Sequence, residues 1–182
     1  MSRNYKFHDQ SKPYFITFTT VNWIDVYTRR VYKDILVSSI NHCINEKGLI
    51  VYAWVIMSNH VHMVIGTRGE KMENIVRDLK KHTSKAIINE IRENSVESRK
   101  EWMLWMFERA GNRNSNNAKN QFWQQHNKPI ELDCYGIINQ KVDYLHNNPV
   151  KDGFVFESYE YRYSSAIDYA GGKGYVSIEP IL

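Results

Sequence analysis

Three shortages narrow what this chain can be. Only Cys43 and Cys134 are cysteines, and neither belongs to a CxxC pair or to a zinc-ligand spacing. That excludes a small disulfide scaffold and makes a reduced, cytoplasmic setting the simplest expectation. Long apolar runs are missing too. The longest, LIVYAWVIM at 49–57, falls far short of the about 20 residues that cross a bilayer, so no membrane association is expected and the run reads as a buried strand. The opening residues, MSRNYKFHDQ, lack the apolar core of a secretion signal. Strong charge of one sign is also absent: the net charge of +4 hints at a polyanionic partner without requiring one. What remains is 182 residues, 42% hydrophobic and 13% aromatic. That suits a globular chain, expected as a single domain over 1–182 with an irregular tail from about 150. No internal repeat is visible.

Periodicity divides the chain into elements. Residues 14–23, YFITFTTVNW, are aromatic and β-branched, as strands are. Residues 31–47 carry Ile35, Leu36, Ile40 and Cys43 at helical spacing, with Gly48 as a stop. Strands follow at 49–57 and 60–66, joined tightly at Ser58-Asn59. Helical spacing returns over 70–94 and again over 97–108, where Trp102, Trp105 and Met106 are expected in the core. The stretch GNRNSNNAKNQ at 111–121 reads as an exposed loop. The segment 122–132 reads as an extended piece that Pro129 confines to an edge. A helix over 133–148 is expected to stop at Asn147-Asn148-Pro149, and GGKG at 171–174 to be a turn. The order strand, helix, strand, strand, helix, then a helical insertion and a strand predicts an α+β fold. It is a ferredoxin-like, split βαβ antiparallel sheet with helices on one face and a C-terminal helix beyond. The third strand is then central and the second sheet face is expected to be free.

Within that strand, MSNHVHMVI at 57–65 holds two histidines one residue apart. Side chains alternate along a strand, so His60 and His62 share a face while Val61, Met63 and Ile65 take the other. Paired neutral imidazoles can hold a divalent ion, although a half-buried strand with two hydrogen-bonded histidines has the same pattern. A metal site needs further donors. In VDYLHNNPVK at 142–151, Tyr144 and Asn148 are four apart and share a helix face. Asn148 offers a carbonyl oxygen suited to a hard ion and Tyr144 offers a phenol. Read locally, Asn148 could equally help end the helix and Tyr144 could pack on the sheet.

Four segments, AWVIMSNHVHMVI, FWQQHNKP, VDYLHNNPVKDGFV and YRYSSAIDY, resemble the HUH endonuclease superfamily. Within it they resemble the single-tyrosine transposases, and most closely the REP-associated tyrosine transposases. The resemblance covers roughly residues 10–170. It implies that His60 and His62 bind a divalent metal, Mg2+ or Mn2+, and that Tyr144 is the nucleophile. The expected activity is cleavage and strand transfer on hairpin-containing single-stranded DNA through a covalent 5′-phosphotyrosine. Insertion-sequence relatives carry a glutamine where Asn148 stands, and Asn148 is one methylene shorter. Ser58 replaces a proline common before the NHVH. The resemblance leaves a monomer and a homodimer both open.

For DNA contacts, Arg77, Lys80, Lys81 and Lys85 on helix 70–94 form a candidate phosphate-binding stripe, with a solvated helix face as the alternative. Arg109, Arg113, Lys119 and Lys128 form a second basic segment. Trp123 could stack on an unpaired base or sit in the core. His126 is a further polar candidate but not a ligand, and His82 and His146 read as structural or surface residues. Three other functions are compatible with parts of the pattern. They are a non-catalytic hairpin DNA- or RNA-binding protein of the same fold, a metal hydrolase acting on a small molecule, and a purely structural protein. The coexistence of Tyr144 with both histidines favours the enzyme.

Overall fold

The computed structural model describes residues 7–113, 119–125 and 127–181. The chain enters the sheet as β1 (Tyr14–Thr19), crosses over through α1 (Arg30–Lys47), and returns as β2 (Leu49–Ile56) and β3 (His60–Thr67). Helices α2 (Met72–Glu93) and α3 (Lys100–Asn112) follow, then the two-residue β4 (Ile130–Glu131), α4 (Tyr135–Lys151) and the single turn α5 (Ala166–Tyr169). The strands lie in the order β2-β3-β1-β4, all antiparallel to their neighbours. That is the expected split βαβ order, with β3 central. Among the described residues no helix is long and apolar enough to cross a membrane.

The alternation of β3 builds the two faces. Val61, Met63 and Ile65 enter the main core, with Tyr32, Leu36 and Ile40 of α1 and Ile75, Leu79 and Ile87 of α2. Val64, on the opposite face with His60 and His62, joins a smaller cluster with Phe15, Val55, Val142 and Leu145. The second face is therefore not free as expected. Val142 and Leu145 make α4 amphipathic, and it packs across β2 and β3.

β1 ends earlier than its composition suggests. Asn22 and Trp23 both take left-handed backbone angles (φ 54° and 56°), turning the chain out of the sheet. At the end of α1, Gly48 supplies the left-handed stop (φ 72°) that most residues resist. On α3 the buried stripe is Met103 and Phe107, four apart, with Met106 partly buried beside it. That spacing puts Trp102 (47% exposed) and Trp105 (51% exposed) on the solvent side, correcting their expected place in the core.

Two further expectations change. α4 does not stop at Asn147-Asn148-Pro149 but runs through the proline to Lys151. The Asn147 and Asn148 side-chain amides fold back along the helix and donate to the carbonyls of Asp143 (2.9 Å) and Tyr144 (2.7 Å), one turn earlier. The helix ends instead at Gly153 (φ 73°), where Gly153 N–H donates to Val150 O and Phe154 N–H to Pro149 O. The tail, irregular in sequence, closes the outer edge of β2. Ile56 N–H donates to Tyr163 O, Ser165 N–H to Trp54 O and Glu179 N–H to Val51 O, each at 2.9 Å. An open strand edge would invite pairing with another chain, and this cover removes it.

Candidate active site

The register of β1 against β3 sets Thr17 opposite His62 and Thr19 opposite His60. The two imidazoles lie 4.7 Å apart, centroid to centroid, near the middle of the sheet. Each has its Nδ1 engaged. His60 Nδ1 is 2.7 Å from Asn59 Oδ1, and His62 Nδ1 is 2.9 Å from Thr17 Oγ1. Asn59 Oδ1 can only accept, so His60 carries its proton on Nδ1 and presents a bare Nε2 lone pair. Thr17 can hold His62 in the same tautomer. This is the outer-shell arrangement that orients metal-binding histidines.

Burial keeps both rings neutral. His60 is pushed below its ordinary value by desolvation, partly offset by Asp152. His62 is pushed down to about 3, first by burial and then by repulsion from His60 and Lys141. Neutral imidazoles are the form that ligates a metal. Among the described residues no group of three or more His, Cys, Asp and Glu side chains converges as a metal cluster. The donor types that could complete a metal shell beside the two imidazoles are therefore an amide, a hydroxyl or water.

α4 brings Tyr144 to this pair. Its neighbours Val142 and Leu145 are anchored in the smaller cluster, while Tyr144 itself is 41% exposed. The phenol ring stands 5.3 Å from that of His62 and 6.1 Å from that of Phe15, which stacks on His62 at 5.2 Å. Two ammonium groups flank the ring: Lys151 Nζ at 5.7 Å and Lys141 Nζ at 6.0 Å from its centroid. Asn148 lies one turn on, its amide nitrogen bound to Tyr144 O, so its carbonyl oxygen remains as the donor end. Phe15, Thr17, Asn59, Lys141 and Lys151 were all missed in the sequence. For the lysines a signal existed, since positions three before and seven after Tyr144 share its helix face.

The proposed DNA contacts are only partly brought together. Trp123 is 6% exposed and packs against Phe18, Tyr27 and Phe122, with its indole N–H donating to Thr83 Oγ1 at 3.1 Å. It is a core residue, not the base-stacking one that the sequence allowed. Lys80 is also off the stripe. Its ammonium donates to Gln124 O (2.8 Å) and Asn127 Oδ1 (2.7 Å) beside the Phe18 ring, and burial lowers its pKa to about 8. Arg77 is exposed but tied to Asn74 and Asp78. Lys81 and Lys85 are exposed. All four sit on α2, which packs on the sheet face opposite the histidines. Arg109 lies over the exposed Trp105 ring at 5.0 Å, and with Arg113 it lines a cleft beside Asn22, Gln121 and Gln125. Lys119 and Lys128 are exposed. His126 lies outside the described residues. His146 is buried and bonded to Ser165 Oγ at 2.8 Å, as a structural histidine should be, whereas His82 is exposed.

No curated protein matches the chain. Among solved structures, a REP-associated tyrosine transposase bound to a REP hairpin superposes with a TM-score of 0.67 at 17% identity, covering 100% of this chain and 94% of the other. That likeness shows the fold. The family model described as "Transposase IS200 like" matches residues 12–108, a span that holds both histidines and stops short of Tyr144. A match over more than half of the 182 residues settles membership: the chain belongs to the IS200-like transposase family.

Proposed function

We propose that the protein is a metal-dependent endonuclease and strand transferase for hairpin-containing single-stranded DNA, acting through a 5′-phosphotyrosine on Tyr144. The observation that carries this reading is the junction of α4 with β3. A half-exposed phenol ring stands 5.3 Å, centroid to centroid, from that of His62, one of two neighbouring histidines whose Nδ1 atoms are both engaged. The donor set fits Mg2+ or Mn2+: Nε2 of His60, Nε2 of His62 and the Asn148 carbonyl oxygen, with water completing the shell. When bound, the ion would neutralise charge on the scissile phosphate as a Lewis acid. The chain's own groups do the rest. The Tyr144 hydroxyl attacks phosphorus, a P–Oη bond forms, and the P–O3′ bond breaks. The phenolic proton is lost to solvent and the departing 3′ oxygen takes one up. Lys141 and Lys151 stabilise negative charge on the phenol oxygen and on the phosphate. The new ester preserves the bond, so another 3′-hydroxyl can reverse the step onto a different strand.

The hairpin substrate is supported by the ligand of the similar transposase. The cytoplasmic setting is supported by two unpaired cysteines, Cys43 and Cys134. A homodimer is the alternative assembly to a monomer. The test uses 3′-end-labelled hairpin DNA with single-stranded flanks, since the 3′-side fragment is the one that becomes attached. With Mn2+, wild type should yield a labelled band that survives denaturing electrophoresis. Tyr144→Phe should lose that band and keep hairpin binding. A labelled adduct on Tyr144→Phe overturns the assignment of the nucleophile, and full cleavage in EDTA overturns the metal.

A further inference from the structure

We propose that Trp23 is the stacking platform for an unpaired base flanking the scissile phosphate. This rests on the reading of the His60, His62 and Tyr144 site as a single-strand nuclease. Trp23 is 61% exposed, yet it follows a strand whose other aromatics are buried, and its ring lies 6.4 Å from that of His60. A large apolar ring standing in water beside a polar site is costly unless something covers it.

The backbone under Trp23 is unusual as well. A left-handed conformation is uncommon for any residue but glycine and is an outlier for a bulky aromatic; here Asn22 and Trp23 adopt it in succession. Strain of this kind persists only where the surroundings enforce it, and it gathers at ligand-contacting positions. The enforcement is on hand. Trp23 N–H donates to Thr20 O (3.1 Å), the Thr20 hydroxyl donates to Ile24 O (2.7 Å), and Val21 N–H donates to Phe122 O (2.7 Å). The turn is therefore a rigid mount. It is also tied to the histidines, because the Asn59 amide spans Trp23 O (3.4 Å) and His60 Nδ1 (2.7 Å).

The surroundings indicate the ligand. Beyond Asn22 runs the cleft lined by Arg109, Arg113, Gln121 and Gln125, which offers cations for phosphates and amides for base edges. An aromatic face followed by a basic, amide-rich groove is the usual equipment for a single strand. A nucleotide joined to a phosphate at the histidine pair would place its base within reach of the indole. The strand would then continue toward Arg109 and Arg113.

The test is a double cycle on binding, read in EDTA by fluorescence anisotropy so that no chemistry intervenes. Wild type, Trp23→Ala and Trp23→Phe are titrated with a hairpin carrying single-stranded flanks, and with the same DNA bearing an abasic residue at each flanking position in turn. Trp23→Ala should weaken binding about tenfold, and Trp23→Phe should recover most of it. At one position the abasic substitution should weaken wild type by a similar factor and leave Trp23→Ala unaffected. Independent losses at every position overturn the proposal, as does wild-type affinity of Trp23→Ala. The abasic series on wild type needs no variant to fold, and indifference to every flanking base also overturns it. Independent losses beside a normal Tyr144 adduct refute the stacking alone; a coupled cycle with no adduct refutes the cleavage reading alone.

Discussion

Replacing Thr17 with valine should weaken metal binding while leaving the fold in place. Thr17 lies opposite His62 in the β1–β3 register, and its hydroxyl stands 2.9 Å from His62 Nδ1. Valine keeps the branched shape that a strand favours and removes only the hydrogen-bonding oxygen. His62 is buried, so its ring N–H then has nowhere to go. Leaving a buried donor unpaired costs about 1–3 kcal/mol of stability. The ring can escape by moving its proton to Nε2, but that consumes the lone pair a metal would use. Loss of such an outer-shell partner lowers metal affinity about 10–100-fold, or roughly 1.4–2.7 kcal/mol. Mn2+ titration by calorimetry measures this directly. Adduct yield against Mn2+ concentration should shift to the right by the same factor and recover at excess metal, because Tyr144 and both histidines remain. Thr17→Ser should restore wild-type behaviour. Unchanged Mn2+ affinity in Thr17→Val, with unchanged stability, would refute the claim that this hydroxyl orients His62.

Trp123→Ala should lower unfolding stability in urea by about 3–5 kcal/mol, as expected for emptying a buried indole site. A variant of normal stability with weakened DNA binding would return Trp123 to the surface. Lys81→Ala with Lys85→Ala should reduce the log–log salt slope of hairpin binding by about 1.4 at most, at about 0.7 per single-strand phosphate; an unchanged slope makes that face of α2 merely solvated. Acid should destabilise the metal-free protein through His146, whose folded-state pKa burial depresses to about 4. Its unfolded value is about 6.5, so the unfolded chain binds the extra proton first, and stability held above pH 6.5 falls as pH drops toward 4. The loss amounts to about 3 kcal/mol over that window. His60 and His62, which burial also depresses, add to the same acid slope, so His146→Gln should reduce the slope of urea-denaturation stability between those pH values by one proton's share, and an unchanged slope would exclude His146 as a source.

Local rules made most of the frame legible. The spacing of Leu36, Ile40 and Cys43, the alternation of β3 and the glycine after α1 are written in neighbouring residues, and the elements follow them closely. What escaped was decided by contacts distant in sequence. Lys80 looks like one of a basic run, but Gln124 and Asn127 lie more than forty residues away and take its ammonium inward. Trp123 adjoins an Asn-rich loop, a setting that suits a base-stacking residue, but it packs on Tyr27 and bonds Thr83, both distant in sequence. Pro149 is a helix breaker by rule, yet α4 runs through it and stops only at the left-handed Gly153, and nothing in the residues next to the proline announces that.

The candidate site shows the same division. The histidine pair lies within three residues of one strand, so period-two alternation alone gives its geometry. The meeting of His62 with Tyr144 is a tertiary fact. It depends on α4 seating Val142 and Leu145 against Phe15, Val55 and Val64, a cluster much smaller than the main core. α4 buries fewer apolar side chains than α1 or α2, and local opening is easiest where buried apolar packing is sparse. α4 is therefore expected to open locally before the sheet and its histidines do. Shortening Leu145 should therefore damage adduct formation before it damages the fold.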